Sequence, residues 1–331
     1  MENKIRFGIL GCGMIASFHA DAIRSLDDAC LMGAADHSPA RAQDFAGKYG
    51  IKAYDSYEQM LADELIDAVC ICTPSSFHAD NAIAALNAGK YVVLEKPMAI
   101  TVEDTQRVIE ACEENQRMLT VISQLRFSQD VLRIKRLLEE NAFGKIVLCN
   151  LSMKYWREPA YYASSPWKGT LKYDGGGALM NQGIHGVDLM LYIAGDAKLI
   201  YAKKQTAFHS VEVEDVAVAT LEFANGALGT IHASTCTYPG FERKIEILGT
   251  TGCAILRENT LEKLVVNGEI LIDTAAEVAN TANKPDAMDS ELHALQIQNL
   301  INAIRGQEKL LVDQYEGQKA VKLIREIYQY E

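Results

Sequence analysis

A lysine, a histidine and a glycine-rich turn are the residues of this sequence best suited to chemistry. Lys96 stands in Glu95-Lys96-Pro97, directly after an apolar run over 91–94. An ammonium there can hydrogen-bond a hydroxyl and stabilise the alkoxide that develops as hydride leaves its carbon, and Glu95 beside it could hold the ammonium in place. Taken alone, the tripeptide reads more readily as an exposed ion pair before a turn. His185 lies on a helical stretch with Asn181 and Asp188, whose spacings of four and three put three polar side chains on one face. Met180, Ile184, Val187 and Leu191 form the apolar stripe next to them. Imidazole is the side chain best matched to taking a hydroxyl proton near neutral pH, so His185 is the candidate general base and Lys96 its electrostatic partner. The run Gly175-Gly176-Gly177, after Tyr173 and Asp174, lets another backbone or a ligand come close to the start of that helix.

The glycine turn is Gly11-Cys12-Gly13-Met14-Ile15-Ala16, placed between an apolar run and a helical pattern. Gly11 permits a tight turn, Gly13 lets backbone N–H groups approach a pyrophosphate, and the small Ala16 allows close packing of helix on strand. Met14 and Ile15 open the helix, whose N-terminal partial charge favours phosphate. Asp36 follows 23 residues after Gly13, at the end of the next apolar run. A carboxylate there accepts hydrogen bonds from ribose hydroxyls and repels a 2′-phosphate, which favours NAD over NADP. His37 and Arg41 flank it, and a guanidinium so near could tolerate the phosphate. Thr73-Pro74 and His78 fall at the end of a third apolar run, where cofactors lie in such sheets, although His78 reads more readily as a helix-start residue with structural hydrogen bonds. No metal-ligand spacing is apparent.

A substrate surface is suggested by Tyr155-Trp156-Arg157, Tyr161-Tyr162, Trp167-Lys168 and Tyr173, which include both tryptophans of the chain. Aromatic faces stack on sugar rings, while Arg157 and Lys168 can hold hydroxyl, carboxylate or phosphate oxygens. An aromatic lid or a subunit interface would have the same composition. Arg126 and Phe127 are expected to border the same cleft, with Tyr238 a weaker candidate.

These residues need elements to hold them. Continuous apolar runs over 5–10, 30–35, 68–73, 91–94 and 119–122 alternate with helical spacing over 15–26, 39–49, 56–61, 78–88 and 102–115. That alternation predicts a doubly wound parallel sheet, an α/β Rossmann domain over 1–123. From 124 to 331 the pattern predicts an α+β domain. After one helical stretch over 131–141, strand-like runs follow one another at 146–155, 199–207, 215–223, 227–235, 244–248, 252–256 and 261–266, so the sheet is largely antiparallel. Asn225-Gly226 marks a hairpin between two of them. Helices are expected over 178–194, 291–305 and 315–328, and the last could pack back on the first domain. A large open sheet face needs a cover, which suggests a homodimer or homotetramer through it.

Composition excludes several classes. At 331 residues two domains are expected, and a net charge of −12 disfavours nucleic acid or a membrane surface as partner. Met1-Glu2-Asn3-Lys4 runs straight into an apolar strand with no leader-like pattern, and no apolar run is of spanning length. Cys12, Cys30, Cys70, Cys72, Cys112, Cys149, Cys236 and Cys253 are scattered without a Cys-x-x-Cys pair, as expected for reduced thiols in the cytoplasm.

Gly11 to Ala16, Glu95-Lys96-Pro97, the stretch GGGALMNQGIHGVDL over 175–189 and the ending with Glu316-Gly317-Gln318-Lys319-Ala320-Val321 together resemble the glucose–fructose oxidoreductase, inositol dehydrogenase and MocA (Gfo/Idh/MocA) family. The resemblance spans essentially the whole chain. It implies a Rossmann domain with an open-faced α/β domain, often dimeric or tetrameric, and hydride transfer between nicotinamide and a sugar, cyclitol or related carbinol. It also implies that Lys96 and His185 are the catalytic pair and that the Lys96–Pro97 bond is cis. One departure is Asn181, where many members carry Asp four residues before the histidine. An amide cannot act as a base, though it can orient a hydroxyl through donor and acceptor. The Asn-Gln-Gly-Ile-His variant resembles a branch with nucleotide-sugar and anhydrosugar dehydrogenases. Two other uses of such a chain are an NAD-dependent glycosidase working by transient oxidation, and a non-catalytic sugar- or NAD-sensing regulator.

Overall fold

A computed structural model describes residues 4–274 and 290–331, so Met1-Glu2-Asn3 lies outside the described residues. The chain forms two compact units. One holds the described residues up to Gln124 together with those from Ser290 to Gln318; the other holds those from Leu125 together with Lys319–Glu331.

The first unit alternates β1 (Ile5–Leu10), α1 (Met14–Ser25), β2 (Ala29–Ala35), α2 (Pro39–Tyr49), β3 (Lys52–Ala53), α3 (Tyr57–Ala62), β4 (Ala68–Ile71), α4 (His78–Asn87), β5 (Tyr91–Leu94), α5 (Val102–Asn115) and β6 (Leu119–Val121). All strands are parallel, in the order β3-β2-β1-β4-β5-β6 of a dinucleotide-binding sheet. Both faces of the sheet are covered, which is why Ile9, Val69, Cys70 and Val93 are all fully buried rather than alternating in and out. Local chemistry ends the helices: Pro39 starts α2 and Gly50, at φ 65°, closes it. The chain returns to this unit late. Ile297, Leu300 and Ile301 join the core with Ala16, Ala20 and Ile23, and the Gln296 amide bonds Ser123, Thr120 and Val121 at 2.8–3.0 Å. A single cut near residue 123 therefore misses this returning segment.

The second unit runs α6 (Gln129–Glu139), β7 (Ile146–Lys154), α7 (Pro159–Ala163), α8 (Leu171–Asp174), a π-helical turn (Ala178–Gly183), α9 (Ile184–Ala194), β8 (Ala197–Gln205), β9 (Val216–Phe223), β10 (Leu228–Ser234), β11 (Lys244–Gly249), β12 (Cys253–Arg257), β13 (Thr260–Val266) and β14 (Glu269–Asp273). The remaining helices are α10 (Ser290–Ile304) and α11 (Gln314–Gln329). The sheet order is β14-β13-β12-β11-β7-β10-β9-β8, antiparallel except between β7 and β10. Strand residues alternate. Cys149, Leu151 and Met153 are buried on the face that carries the π turn and α9, whereas Leu148, Val218 and Leu228 are 37–51% exposed on the other. Sequence periodicity misses β14 and reads the π turn and α9 as one regular helix.

Candidate active site

In the first unit the glycine turn has the geometry that a dinucleotide requires. Gly11 has φ 90°, and a Cβ there would lie 2.7 Å from the Cys72 carbonyl oxygen, so only glycine fits. At Gly13 a Cβ would meet nothing within 4 Å, and α1 starts with no side-chain cap and no acidic residue in its first turn. A helix start left open in this way favours an anion. Met14, 65% exposed, and Ile15 line that start, and Ala16 is fully buried against the sheet. Asp36 is buried; its carboxylate accepts the backbone N–H of Cys12 and of Ser38, each at 2.8 Å, and so fixes the turn. His37 and Arg41 approach its Oδ1 at 3.1 and 3.5 Å. The residues present thus fit NAD.

Lys96 is the second residue past β5, with its backbone N–H donating to Glu95 Oε2 at 3.2 Å. Glu95 Oε1 pairs with His19 Nε2 at 2.8 Å in a setting where both are nearly inaccessible, and the His293 ring stands edge-on to His19 with centroids 5.4 Å apart. Burial alone would push the Glu95 carboxyl up. The bond to His19, then the charges of His19, His293 and Lys96, outweigh it and hold the group at about 2. Burial would likewise lower His19, but the facing Cys70, Cys72 and Glu95 raise it well above its ordinary range. The ligand atoms of His19, Glu95 and His293 lie within 4.8 Å of one another. His19 and His293 were not singled out from the sequence; they lie 76 residues or more from Glu95, and no spacing rule links them.

The next turn is held by His78. Its Nδ1 meets the Pro97 carbonyl at 2.6 Å and its Nε2 the Thr73 carbonyl at 2.8 Å, so the ring ties the loop after β4 to the loop after β5. Burial lowers its pKa. The structural reading of His78 holds, and its ring is turned to backbone rather than to a ligand. Thr73 Oγ1 accepts from Asn81 at 3.2 Å, and Pro74 precedes the short turn into α4. Lys96–Pro97 is cis, as the family resemblance implies.

In the second unit, the polar line on the helix is divided among different partners. Asp188 is bound at both oxygens by Arg126, at 2.7 and 2.9 Å, and both are buried. Arg126 also stacks 4.7 Å from the Tyr192 ring. The expectation that Arg126 borders a substrate cleft is therefore corrected: its fork matches an internal carboxylate. Asn181 donates from Nδ2 to the buried Asp174 at 2.7 Å and accepts from Gln182 at 2.8 Å. Gln182 in turn donates to Tyr161 Oη at 2.8 Å and accepts from Arg157 Nε at 3.0 Å. Asn181 and Arg157 thus belong to one hydrogen-bonded net, with Tyr161, whose hydroxyl burial pushes up, as a neutral member. His185 follows one residue into α9, partly exposed.

The aromatic stretch makes several ring and cation contacts. Trp156 lies within 5.5 Å of the Phe208 and Tyr238 rings, and Tyr162 within 4.7 Å of His209. Lys168 sits 4.1 Å over Tyr161 and 5.9 Å from Trp167, while Tyr155 is buried beside Arg157 at 5.4 Å. His209 and Asp215 were missed. His209 Nδ1 faces Asp215 at 3.1 Å and its Nε2 the Arg157 carbonyl at 2.8 Å, so an arrangement resembling a catalytic dyad instead fixes the backbone of Arg157.

Comparisons with known proteins bear on the fold and the family. Residues 5–123 match the oxidoreductase family with an NAD-binding Rossmann fold, and residues 131–255 match a C-terminal domain of the same Gfo/Idh/MocA group. The WlbA dehydrogenase of Bordetella pertussis, solved with NADH and UDP-GlcNAcA, superposes with TM-score 0.87 at 34% identity, over 98% of this chain and 96% of its own. WlbA of Chromobacterium violaceum, with the same ligands, gives 0.86 at 31%, over 98% and 93%. Myo-inositol 2-dehydrogenase of Thermotoga maritima is 29% identical over 79% of this chain and 78% of its own. No helix among the described residues is long and apolar enough to cross a membrane.

Proposed function

Since the chain belongs to the Gfo/Idh/MocA family of NAD-binding oxidoreductases, we propose that it moves hydride between nicotinamide and a secondary alcohol or ketone of a sugar, sugar derivative or cyclitol, with Lys96 and His185 as the acid/base pair. One observation carries the reading. Lys96 stands at the carboxyl end of β5, the edge where ligands bind in this fold, on a backbone pinned by the buried Glu95. When bound, NAD supplies the hydride acceptor as the CH–OH carbon becomes a carbonyl. The Lys96 ammonium donates a hydrogen bond to the reacting oxygen and stabilises its developing charge. His185 takes the hydroxyl proton and returns it in the reverse direction. Asn181, oriented by Asp174 and Gln182, offers its amide to a neighbouring hydroxyl.

Gly11, Gly13 and the start of α1 would hold the pyrophosphate and Asp36 the ribose hydroxyls, with NAD preferred over NADP because a buried carboxylate repels a 2′-phosphate. Trp156 and Trp167 suit a sugar ring, and Arg157 and Lys168 suit an acidic group on it. The sugar acid bound by the two WlbA relatives is accordingly the first substrate to try. The open sheet face around Leu148, Val218 and Leu228 would pair two copies in a homodimer or homotetramer. All eight cysteines are free, which suits the cytoplasm.

The test is to incubate protein and NAD with UDP-GlcNAcA, inositols and simple sugars while following NADH and ketone. Stoichiometric NADH and ketone are expected with at least one. Bond cleavage at a glycosidic linkage with no net NADH would favour the elimination route instead. Tight NAD binding with no conversion of any alcohol would overturn the dehydrogenase reading.

A further inference from the structure

The helix that carries His185 begins in an unusual way. The π turn over Ala178–Gly183 has no side-chain cap of its own, yet none of its leading N–H groups is left over. Gly177 N–H donates to Glu214 Oε2 at 2.8 Å, Leu179 N–H to Glu214 Oε1 at 2.9 Å, and Ala178 N–H to the Glu214 carbonyl at 3.0 Å. The fourth, Met180 N–H, donates to Tyr328 Oη at 3.1 Å, and Tyr328 closes the set by donating to Glu214 Oε1 at 2.6 Å. Two residues thus satisfy the four donors that a helix start leaves open. The neighbouring glycines are shaped by the same pair. A Cβ at Gly176 would lie 2.3 Å from Tyr328 Oη, and one at Gly177 would lie 2.0 Å from the Glu214 carbonyl oxygen.

We propose that Glu214 and Tyr328 are positioning residues, a clamp that sets the register of the π turn and so places His185 to take a proton and Asn181 to orient a neighbouring hydroxyl. A π turn shifts every following side chain relative to a regular helix, and such turns gather at functional sites. Here the shift sits between Gly177 and Ile184, one residue before His185. Asp215, next to Glu214 in sequence, accepts the N–H groups of Ala207, Phe208 and His209 at 2.6–2.9 Å, and His209 holds the Arg157 carbonyl. Two adjacent carboxylates therefore anchor the helix of His185 and the segment of Arg157 together.

The clamp's catalytic consequence rests on the dehydrogenase reading; the clamp itself does not, so the experiment has two arms. Tyr328→Phe removes one hydroxyl and no bulk, and Glu214→Gln removes the charge. In the first arm, backbone hydrogen exchange by mass spectrometry should be at least tenfold faster at residues 177–181 in both variants, with β12 and β13 unchanged. In the second, kcat should fall at least tenfold while NAD affinity stays within twofold and KM changes little. Leu264→Ala, a core change matched in melting temperature, should keep kcat and so separates positioning from general loosening. Unchanged exchange in Tyr328→Phe overturns the clamp, and kcat within twofold of the parent overturns its catalytic role. If the parent enzyme oxidises no alcohol, the exchange arm still decides the clamp and only the dehydrogenase reading falls.

Discussion

Each unit of the molecule opens a helix with glycines, and the two runs are used in opposite ways. At Gly13 a Cβ would meet no protein atom within 4 Å, and the first turn of α1 has neither a side-chain cap nor an acid of its own. At Gly176 and Gly177 the same atom would strike Tyr328 and the Glu214 backbone, which already take the helix N–H groups. The first run leaves open space at its helix start; the second makes room for the protein itself. A glycine motif therefore says that something comes close, and only the neighbours say whether it is ligand or chain.

That contrast can be broken by substitution. Gly177→Ala should cost more than about 3 kcal/mol of unfolding free energy, because backbone stands on the other side of the new methyl and cannot move aside cheaply. Urea unfolding measures it, and a loss under about 1 kcal/mol would mean that the clamp yields.

The two buried carboxylates should differ next, by their response to pH. Glu95 is held at about 2, below its ordinary 4.5, so its contribution is complete above 4.5 and is lost as pH falls through 2. A shift of this size corresponds to roughly 3 kcal/mol, counted once for the His19–Glu95 pair. His19, raised above 6.5, adds the complementary limb: its share is complete below 6.5 and lost as pH climbs through the raised value. Glu214 runs the other way. Burial raises it, so the cost of its charge is relieved as pH falls toward 4.5. Relative to its glutamine variant, the parent should therefore lose stability at Glu95 but gain it at Glu214 on acidification, as read from melting temperature against pH. Parallel trends would refute the assignment.

The smallest effect on stability is expected at Gly13. Its φ of −83° suits alanine, so Gly13→Ala should change unfolding free energy by no more than about 0.5 kcal/mol. Calorimetric NAD affinity should nevertheless drop on the order of tenfold, about 1.4 kcal/mol. Unaltered affinity would show that the phosphates lie elsewhere.

The legibility of the sequence follows the same division. The first unit's site is built from strand ends and the turns beside them, so Gly11, Asp36 and Lys96 stand out by position alone. The doubly wound parallel sheet and the mostly antiparallel second sheet follow from continuous and alternating apolar runs. What holds the second unit's site comes from far along the chain: Glu214 is 37 residues from Gly177, and Tyr328 is 148 from Met180. No periodicity encodes such a pairing. Arg126 was misjudged for a related reason, since its carboxylate partner Asp188 lies 62 residues away. The π turn was invisible because it changes register without changing composition.

The dehydrogenase proposal rests on Lys96 stabilising the reacting oxygen and on His185 taking its proton. With the best substrate of the panel and saturating NAD, the initial rate of NADH formation should fall by about 10²–10⁴ in both Lys96→Ala and His185→Ala, with NAD affinity intact. A rate close to the parent enzyme's in either variant would contradict it.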